Sequence, residues 1–389
     1  MVFIAVLSGC LIVKESHVCY TGTNIWVDQD PLETIYNKGD NMSEYTISKI
    51  YPGDKRARKQ IDELLLAEGI RRDANLDYTC AVYDDDMNVV ATGSCFANTL
   101  RCMAVSRHHQ GEGLMNTVVT HLTEVQFARG YFHLFLYTKC DSAKFFRDLG
   151  FHEIARVEDQ VVFMENKRDG FAGYLDNLTR DSKTGARVAG LVMNANPFTL
   201  GHLYLVEKAA AENDVLHLFI VSEDASLIPF AVRKQLVMEG TAHLSNICYH
   251  DSGPYMISNA TFPSYFQKDE TDIISGHARL DLTIFKKIAD TLQITRRYVG
   301  EEPNSQVTGI YNQIMAAELP AAGIDCIIIP RKEAKGAAIS ASTVRKAIKD
   351  RDMNQLNVLV PKTTLDFFLS PQADEIIEKI RAAENVIHY

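Results

Sequence analysis

Five near-continuous apolar runs, at 188–193, 215–221, 246–249, 297–300 and 325–329, alternate with stretches of helical periodicity at 203–211, 232–244, 281–292 and 307–319. A strand that is apolar at every position has both faces covered, and strands joined by helix-length crossovers run parallel. The second half of the chain is therefore expected to form an α/β, Rossmann-like parallel sheet with helices on both faces. Ligands of such sheets gather in the loops beyond the carboxyl ends of the strands, so the search for chemistry starts there.

The first half follows a different pattern. From Met42 a short strand precedes a helical stretch at 54–69 with apolar Ile61, Leu64, Leu65 and Leu66. Alternating segments at 79–83 and 89–94 flank Asp84-Asp85-Asp86-Met87-Asn88. Asp and Asn favour turns, so these aspartates are expected at a solvated hairpin tip rather than around a metal. Further strands are expected at 102–105 and 133–137, with a helix at 114–129 between them. The chain thus divides into an extension at 1–41 with a β-rich run at 10–27, an α+β domain at 42–165, a polar, turn-rich linker at 166–186, and the parallel-sheet domain at 187–389.

Composition narrows the function. At 389 residues the chain exceeds a single domain of ~150 residues, and 46% hydrophobic with 23% charged residues is globular usage. Fifty acidic residues against 40 basic ones give a net charge of −10, which disfavours a general nucleic-acid surface. A local basic pocket for a phosphorylated ligand stays open. The eight cysteines are scattered without a CxxC pair, which is expected of reduced, mostly buried thiols. The longest apolar stretch, 1–13, is shorter than the ~20 residues that span a bilayer. It contains Leu7-Ser8-Gly9-Cys10, which looks like a lipoprotein cleavage box, but no Lys or Arg precedes it as a secretory signal requires. A cytoplasmic protein with no membrane partner is expected.

In the first half, a strand leads into Gln110-Gly111-Glu112-Gly113 and then a helix. Free N–H groups at such a glycine turn suit an anion such as a pyrophosphate, although a GxG alone is usually only a turn. The order strand, QGEG, helix, strand and then 143–151 (AKFFRDLGF) resembles the acetyl-CoA-dependent N-acetyltransferase (GNAT) fold. Met115 stands where that family commonly has a small residue. The resemblance implies a fold and a CoA-like ligand, not acetyl transfer to an amine.

In the second half, the first crossover runs through Asn194, Asn196, Thr199, Gly201 and His202 into a helix. Thr199 and His202 place a hydroxyl and an imidazole at that helix's amino end, and Gly201 lets a phosphate approach the backbone. An isolated TxGH would be an ordinary capping threonine beside a satisfied histidine. After the last strand, however, Ser340, Ser342, Thr343 and Arg345 open another helix as a set of hydroxyls with a guanidinium, which suits phosphate. The pair resembles the HxGH-type nucleotidyltransferase superfamily, with threonine in place of the first histidine. Arg233 and Lys234 are expected on a solvated helix face. Glu301 and Glu302 suit either a helix opening or a ribose or magnesium contact.

Together the GNAT-like region, 194–202 (NANPFTLGH), 298–305 (YVGEEPNS), 310–313 (IYNQ) and 339–345 (ISASTVR) resemble the citrate lyase ligase family over about residues 42–370. Enzymes of that family use ATP and acetate to acetylate the thiol of a dephospho-CoA-derived group on the acyl carrier (gamma) subunit of citrate lyase. The resemblance implies a GNAT-like domain followed by a nucleotidyltransferase domain that forms acetyl-adenylate. It implies His202 and Thr199 in catalysis. Asn194, Asn196, Gly201, Ser340, Ser342, Thr343 and Arg345 would bind ATP, with Mg²⁺ but no protein metal ligands assigned. Gln110, Gly111 and Gly113 would hold the acceptor arm, and Tyr311 and Asn312 would contact substrate. Three other functions stay open on the residues: a phosphopantetheine adenylyltransferase-like enzyme, a GNAT acetyltransferase with a nucleotide-sensing domain, and a non-catalytic acyl-carrier-binding module. The two intact motifs argue against the third.

Overall fold

Strands buried along most of their length, covered by helices on both faces, build the first domain as a mixed sheet. The computed structural model describes residues 45–73, 75–180, 182–223, 226–256, 270–301, 306–334 and 336–383. The expected extension at 1–41 and Glu302 lie outside them. Strands β1 (Thr46–Lys49), β2 (Tyr78–Tyr83), β3 (Val89–Phe96), β4 (Thr99–Val105), β5 (Phe135–Thr138), β6 (His152–Val157) and β7 (Val161–Glu165) lie in the order β1-β2-β3-β4-β5-β7-β6. Neighbours are antiparallel except β4 and β5, which run parallel and pair only at Thr99–Phe135 and Leu100–Leu136. Helix α1 (Lys55–Ala67) covers one face with Ala57, Ile61, Leu64 and Leu65, while Leu66 points outward. Helix α2 (Leu114–Ala128) covers the other and approaches closely, since a side chain at Gly93 would strike Val118 and Leu122. Helix α3 (Ala143–Asp148) completes the domain. This is the α+β arrangement that the GNAT resemblance implies. Asp84 accepts the N–H groups of Asp86 and Asn88, closing the hairpin tip as expected.

The linker expected at 166–186 is partly folded. Its residues Gly170–Arg180 form α4, which buries Phe171 and Leu178. Tyr174 and Leu175 pack beside them, and this apolar face docks the helix despite its polar composition.

Five parallel strands follow: β8 (Val188–Met193), β9 (Val215–Ile220), β10 (Ile247–Asp251), β11 (Arg296–Gly300) and β12 (Asp325–Ile329), in the order β10-β9-β8-β11-β12. The crossovers hold α5 (Leu200–Ala211), α6 (Phe230–Gly240), α7 (Glu270–Leu292) and α8 (Gln306–Glu318). The chain continues with α9 (Ala341–Asp350), α10 (Met353–Leu359), α11 (Lys362–Leu369) and α12 (Asp374–Ala382). Each expected strand is present with its ends within a residue or two.

One face of this sheet packs with α5, α6 and α9 to α12. The other packs with α4, α7 and α8 in a cluster that also contains Phe135, Tyr137, Ile154 and Phe163 of the first sheet. The halves therefore share one hydrophobic core. A buried carboxylate reinforces the seam: Glu165 accepts hydrogen bonds from Phe171 N (2.7 Å) and Tyr255 Oη (2.9 Å) and pairs with His133 Nε2 at 2.6 Å.

Candidate active site

In the five-stranded sheet the strand order reverses between β8 and β11, and the crevice at that switch point is where a doubly wound sheet takes its ligand. A cavity of about 830 Å³ occupies it. Asn194, Asn196, Thr199, Gly201 and His202 line it from the loop after β8, and Ser340 and Arg345 line it from the start of α9. The two motifs that lie far apart in sequence meet here. Gly201 explains how closely: a Cβ at that position would sit 3.3 Å from the Ile339 carbonyl oxygen, so any larger residue would push the loops apart.

Thr199 caps α5 through a reciprocal pair of bonds. Its Oγ1 accepts the His202 N–H at 3.2 Å, and its own N–H donates to His202 Nδ1 at 3.1 Å. A ring nitrogen that accepts an N–H carries no proton, so neutral His202 presents Nε2–H as its donor. Burial, helped by the charge of Arg331, pushes the His202 pKa down to about 4. The imidazole is thus neutral at physiological pH and oriented for hydrogen-bond donation.

Ser340 caps α9, its Oγ accepting Thr343 N–H at 3.1 Å and meeting Ser342 Oγ at 2.9 Å and Thr343 Oγ1 at 2.7 Å. Ser342 and Thr343 therefore support Ser340 from behind and do not line the cavity. Arg345 is buried and donates to the Asn196 carbonyl, which ties the second motif to the first. Burial lowers its pKa to about 10. Asn194 accepts from Arg233 Nη1 at 2.7 Å. Asn196 Oδ1 accepts Ile228 N–H, while its buried Nδ2 has no hydrogen-bond partner, in a residue that lines the cavity.

Arg233 is not on a solvated face. It is fully buried and donates to the carbonyls of Ile228 (3.0 Å), Asn194 (2.9 Å), Val221 (2.7 Å) and Glu223. These four backbone oxygens and the Asn194 side chain hold the guanidinium, which stitches the loops after β8 and β9 together. Lys234 pairs with Asp251 at 2.6 Å.

Sequence reasoning missed several lining residues. Arg331 and Lys332 bring positive charge from directly beyond β12, a position where the switch-point rule could have found them. Asn75 and Phe96 reach the same cavity from the first domain, which no local pattern signals. Tyr311 and Asn312 also line it, Asn312 Nδ2 donating to the Gly300 carbonyl at 3.0 Å.

Gln110, Gly111 and Gly113 border a separate cavity of about 670 Å³, together with Met103, Leu114 and Tyr137. Gly111 and Gly113 have left-handed backbones (φ 89° and 79°) with open space where a side chain would project. Gly113 starts α2 without a capping side chain, so the helix presents N–H groups at this cavity.

Residues 188–368 match the family described as citrate lyase ligase C-terminal domain. The chain is also 38% identical over 313 residues to citrate (pro-3S)-lyase ligase from Haemophilus influenzae, covering 79% of this chain and 93% of that protein. The chain belongs to the citrate lyase ligase family. Relatives of the same description from Klebsiella pneumoniae (37% identity, 81% of this chain, 94% of that protein) and Escherichia coli (38%, 76%, 86%) agree. Membership makes the protein a ligase, and all but two of the residues that line the cavity between β8 and β11 lie within the matched domain. Among the described residues no group of three His, Cys, Asp or Glu side chains could hold a metal ion, and no helix is long and apolar enough to cross a membrane.

Proposed function

We propose that the chain converts ATP and acetate to acetyl-adenylate in the switch-point cavity, then passes the acetyl group to the thiol of the dephospho-CoA-derived arm on the citrate lyase acyl carrier subunit. The observation that carries this reading is the convergence of both motifs, with a neutral, oriented His202, on one cavity. Acetate is a poor acyl donor because an oxide would have to leave. When its carboxylate oxygen attacks the α-phosphorus, the bond to the bridging oxygen breaks and pyrophosphate departs. The thiol sulfur then attacks the acetyl carbonyl, AMP leaves with the former carboxylate oxygen, and the thiol proton is released.

Such chemistry needs positioning and charge neutralisation. His202 Nε2–H would stabilise the α-phosphate oxygens as their charge grows. The amino ends of α5 and α9, Asn196 Nδ2, Ser340, Arg331 and Lys332 would hold the triphosphate. Arg345 would act indirectly, through its grip on the Asn196 carbonyl. Magnesium accompanying the triphosphate supplies further positive charge, and the carboxylates of Glu223 and Glu301 face the cavity where one or two ligands for it are wanted. The glycine turn at 110–113 would receive the pyrophosphate of the acceptor arm. ATP supply and the free, mostly buried cysteines among the described residues are consistent with a cytoplasmic enzyme.

The test is exchange of labelled pyrophosphate into ATP, with and without acetate. Acetate-dependent exchange is expected. Exchange that ignores acetate but responds to a phosphate-ester acceptor would show a nucleotidyltransferase instead.

A further inference from the structure

The switch-point cavity extends onto the α7/α8 side of the sheet, below the loops that would hold phosphate. Val192, Met256, Val299, Met315, Asp281 and Arg297 line this arm. Arg297 lies within β11, three residues before the strand's carboxyl end at Gly300. It is only 6% exposed, and its guanidinium stacks 4.1 Å from the Phe285 ring centre. Its Nε and Nη1 are buried without a hydrogen-bond partner. Burial lowers its pKa to about 10, and the charge of Asp281 opposes that shift, so the side chain stays cationic at neutral pH.

A buried cation with two unmatched donors is costly, and it invites an anion that can occupy both. The planar fork of a guanidinium matches a carboxylate. The triphosphate's contacts cluster at the carboxyl ends of the strands, so this deeper donor pair is left for the smaller substrate. We infer that Arg297 anchors the carboxylate of the acid substrate, with Val192, Met256 and Met315 packing against its alkyl group. Each carboxylate oxygen accepts one N–H of the fork, and a remaining lone pair on one of them is left to attack the α-phosphorus. The inference deepens the adenylate reading above and rests on it for the identity of the acid.

Arg297→Met keeps an unbranched, apolar stem and removes the guanidinium with its charge. In the exchange assay its KM for acetate should rise roughly 10–100-fold, the scale of losing hydrogen bonds to a charged group, while its KM for ATP stays within about twofold. Arg297→Lys preserves the buried charge and should also raise the acetate KM, by less, since an ammonium lacks the fork. Binding is read separately by saturation transfer from the protein to the acetate methyl protons. That signal should be present for the wild-type chain and lost in Arg297→Met. An unchanged acetate KM in Arg297→Lys, or an unchanged methyl signal in folded Arg297→Met, would overturn the assignment. A methyl signal that depends on Arg297 in a chain without acetate-dependent exchange would uphold the carboxylate site and remove the adenylate reading.

Discussion

Replacing His202 by Ala removes a ring whose orientation is already fixed. Nδ1 is committed to the Thr199 N–H, so the side chain offers the cavity one donor, Nε2–H. Loss of one preorganised donor at a developing oxyanion lowers a rate by ~10²–10³, equivalent to roughly 3–4 kcal/mol of barrier. The ground-state triphosphate keeps two helix amino ends, Arg331 and Lys332, so the KM for ATP should change by less than about threefold. The low pKa adds a second expectation. With a pKa of about 4 the ring is neutral throughout the working range, so protonation of His202 should leave no acid limb between pH 6 and 7. The assay is acetate-dependent pyrophosphate exchange at saturating substrates, for wild type and His202→Ala, across pH 5.5–8. Poor ATP binding with undiminished turnover in the variant would refute the role. So would a wild-type acid limb near pH 6.5 that disappears with the histidine.

Bulky replacement of Gly111 or Gly113 by Val should leave exchange intact while acetyl transfer to the carrier falls at least ~10-fold, after a stability loss of about 1–2 kcal/mol from the left-handed backbone. Normal transfer by a folded variant, checked by circular dichroism, would make that cavity a scaffold only. His217, buried against His250 with Nδ1 to Nε2 at 2.8 Å, has its pKa lowered to about 4 by burial and then by its neighbour's charge. A depressed folded-state pKa gives stability that is complete above ~6.5 and lost as pH falls toward 4. Between pH 7 and 4.5 the wild type should therefore lose about 2–3 kcal/mol more than His217→Phe in denaturant titrations, and equal losses would contradict this. Gly170→Ala places a Cβ 2.1 Å from Glu165 Oε2, so it should lower Tm by several degrees in a single transition, whereas an unaltered Tm would show that the seam carboxylate yields freely.

The five parallel strands were legible because covering of both sheet faces leaves them mostly apolar, and the QGEG turn was legible because left-handed backbone favours glycine. Helix α4 was hidden since its few apolar residues, Phe171, Tyr174, Leu175 and Leu178, sit in an otherwise polar, turn-rich run. Helix α7 begins well before the expected 281 because tertiary packing buries Ile274, His277, Ala278 and Leu280 in a stretch interrupted by glycine. Arg233 misled for a physical reason: four backbone carbonyls accept from its guanidinium, and no residue type in the sequence records them. Arg297 was unreadable for the opposite reason, since nothing local marks a strand arginine as lacking partners. The convergence of Asn75 and Phe96 on the second domain's cavity is purely tertiary.

The shared core also bears on how the protein is made. When the ribosome has finished β7, the aromatic surface formed by Phe135, Tyr137 and Phe163 has its own sheet but not yet the helices that cover it. Its covering residues on α7, among them Leu282 and Phe285, emerge more than a hundred residues later. At ~5–20 residues per second the wait is on the order of ten seconds, long compared with the collapse of a small domain. Throughout that interval the nascent chain carries a bare aromatic patch of the kind that aggregates or recruits a chaperone.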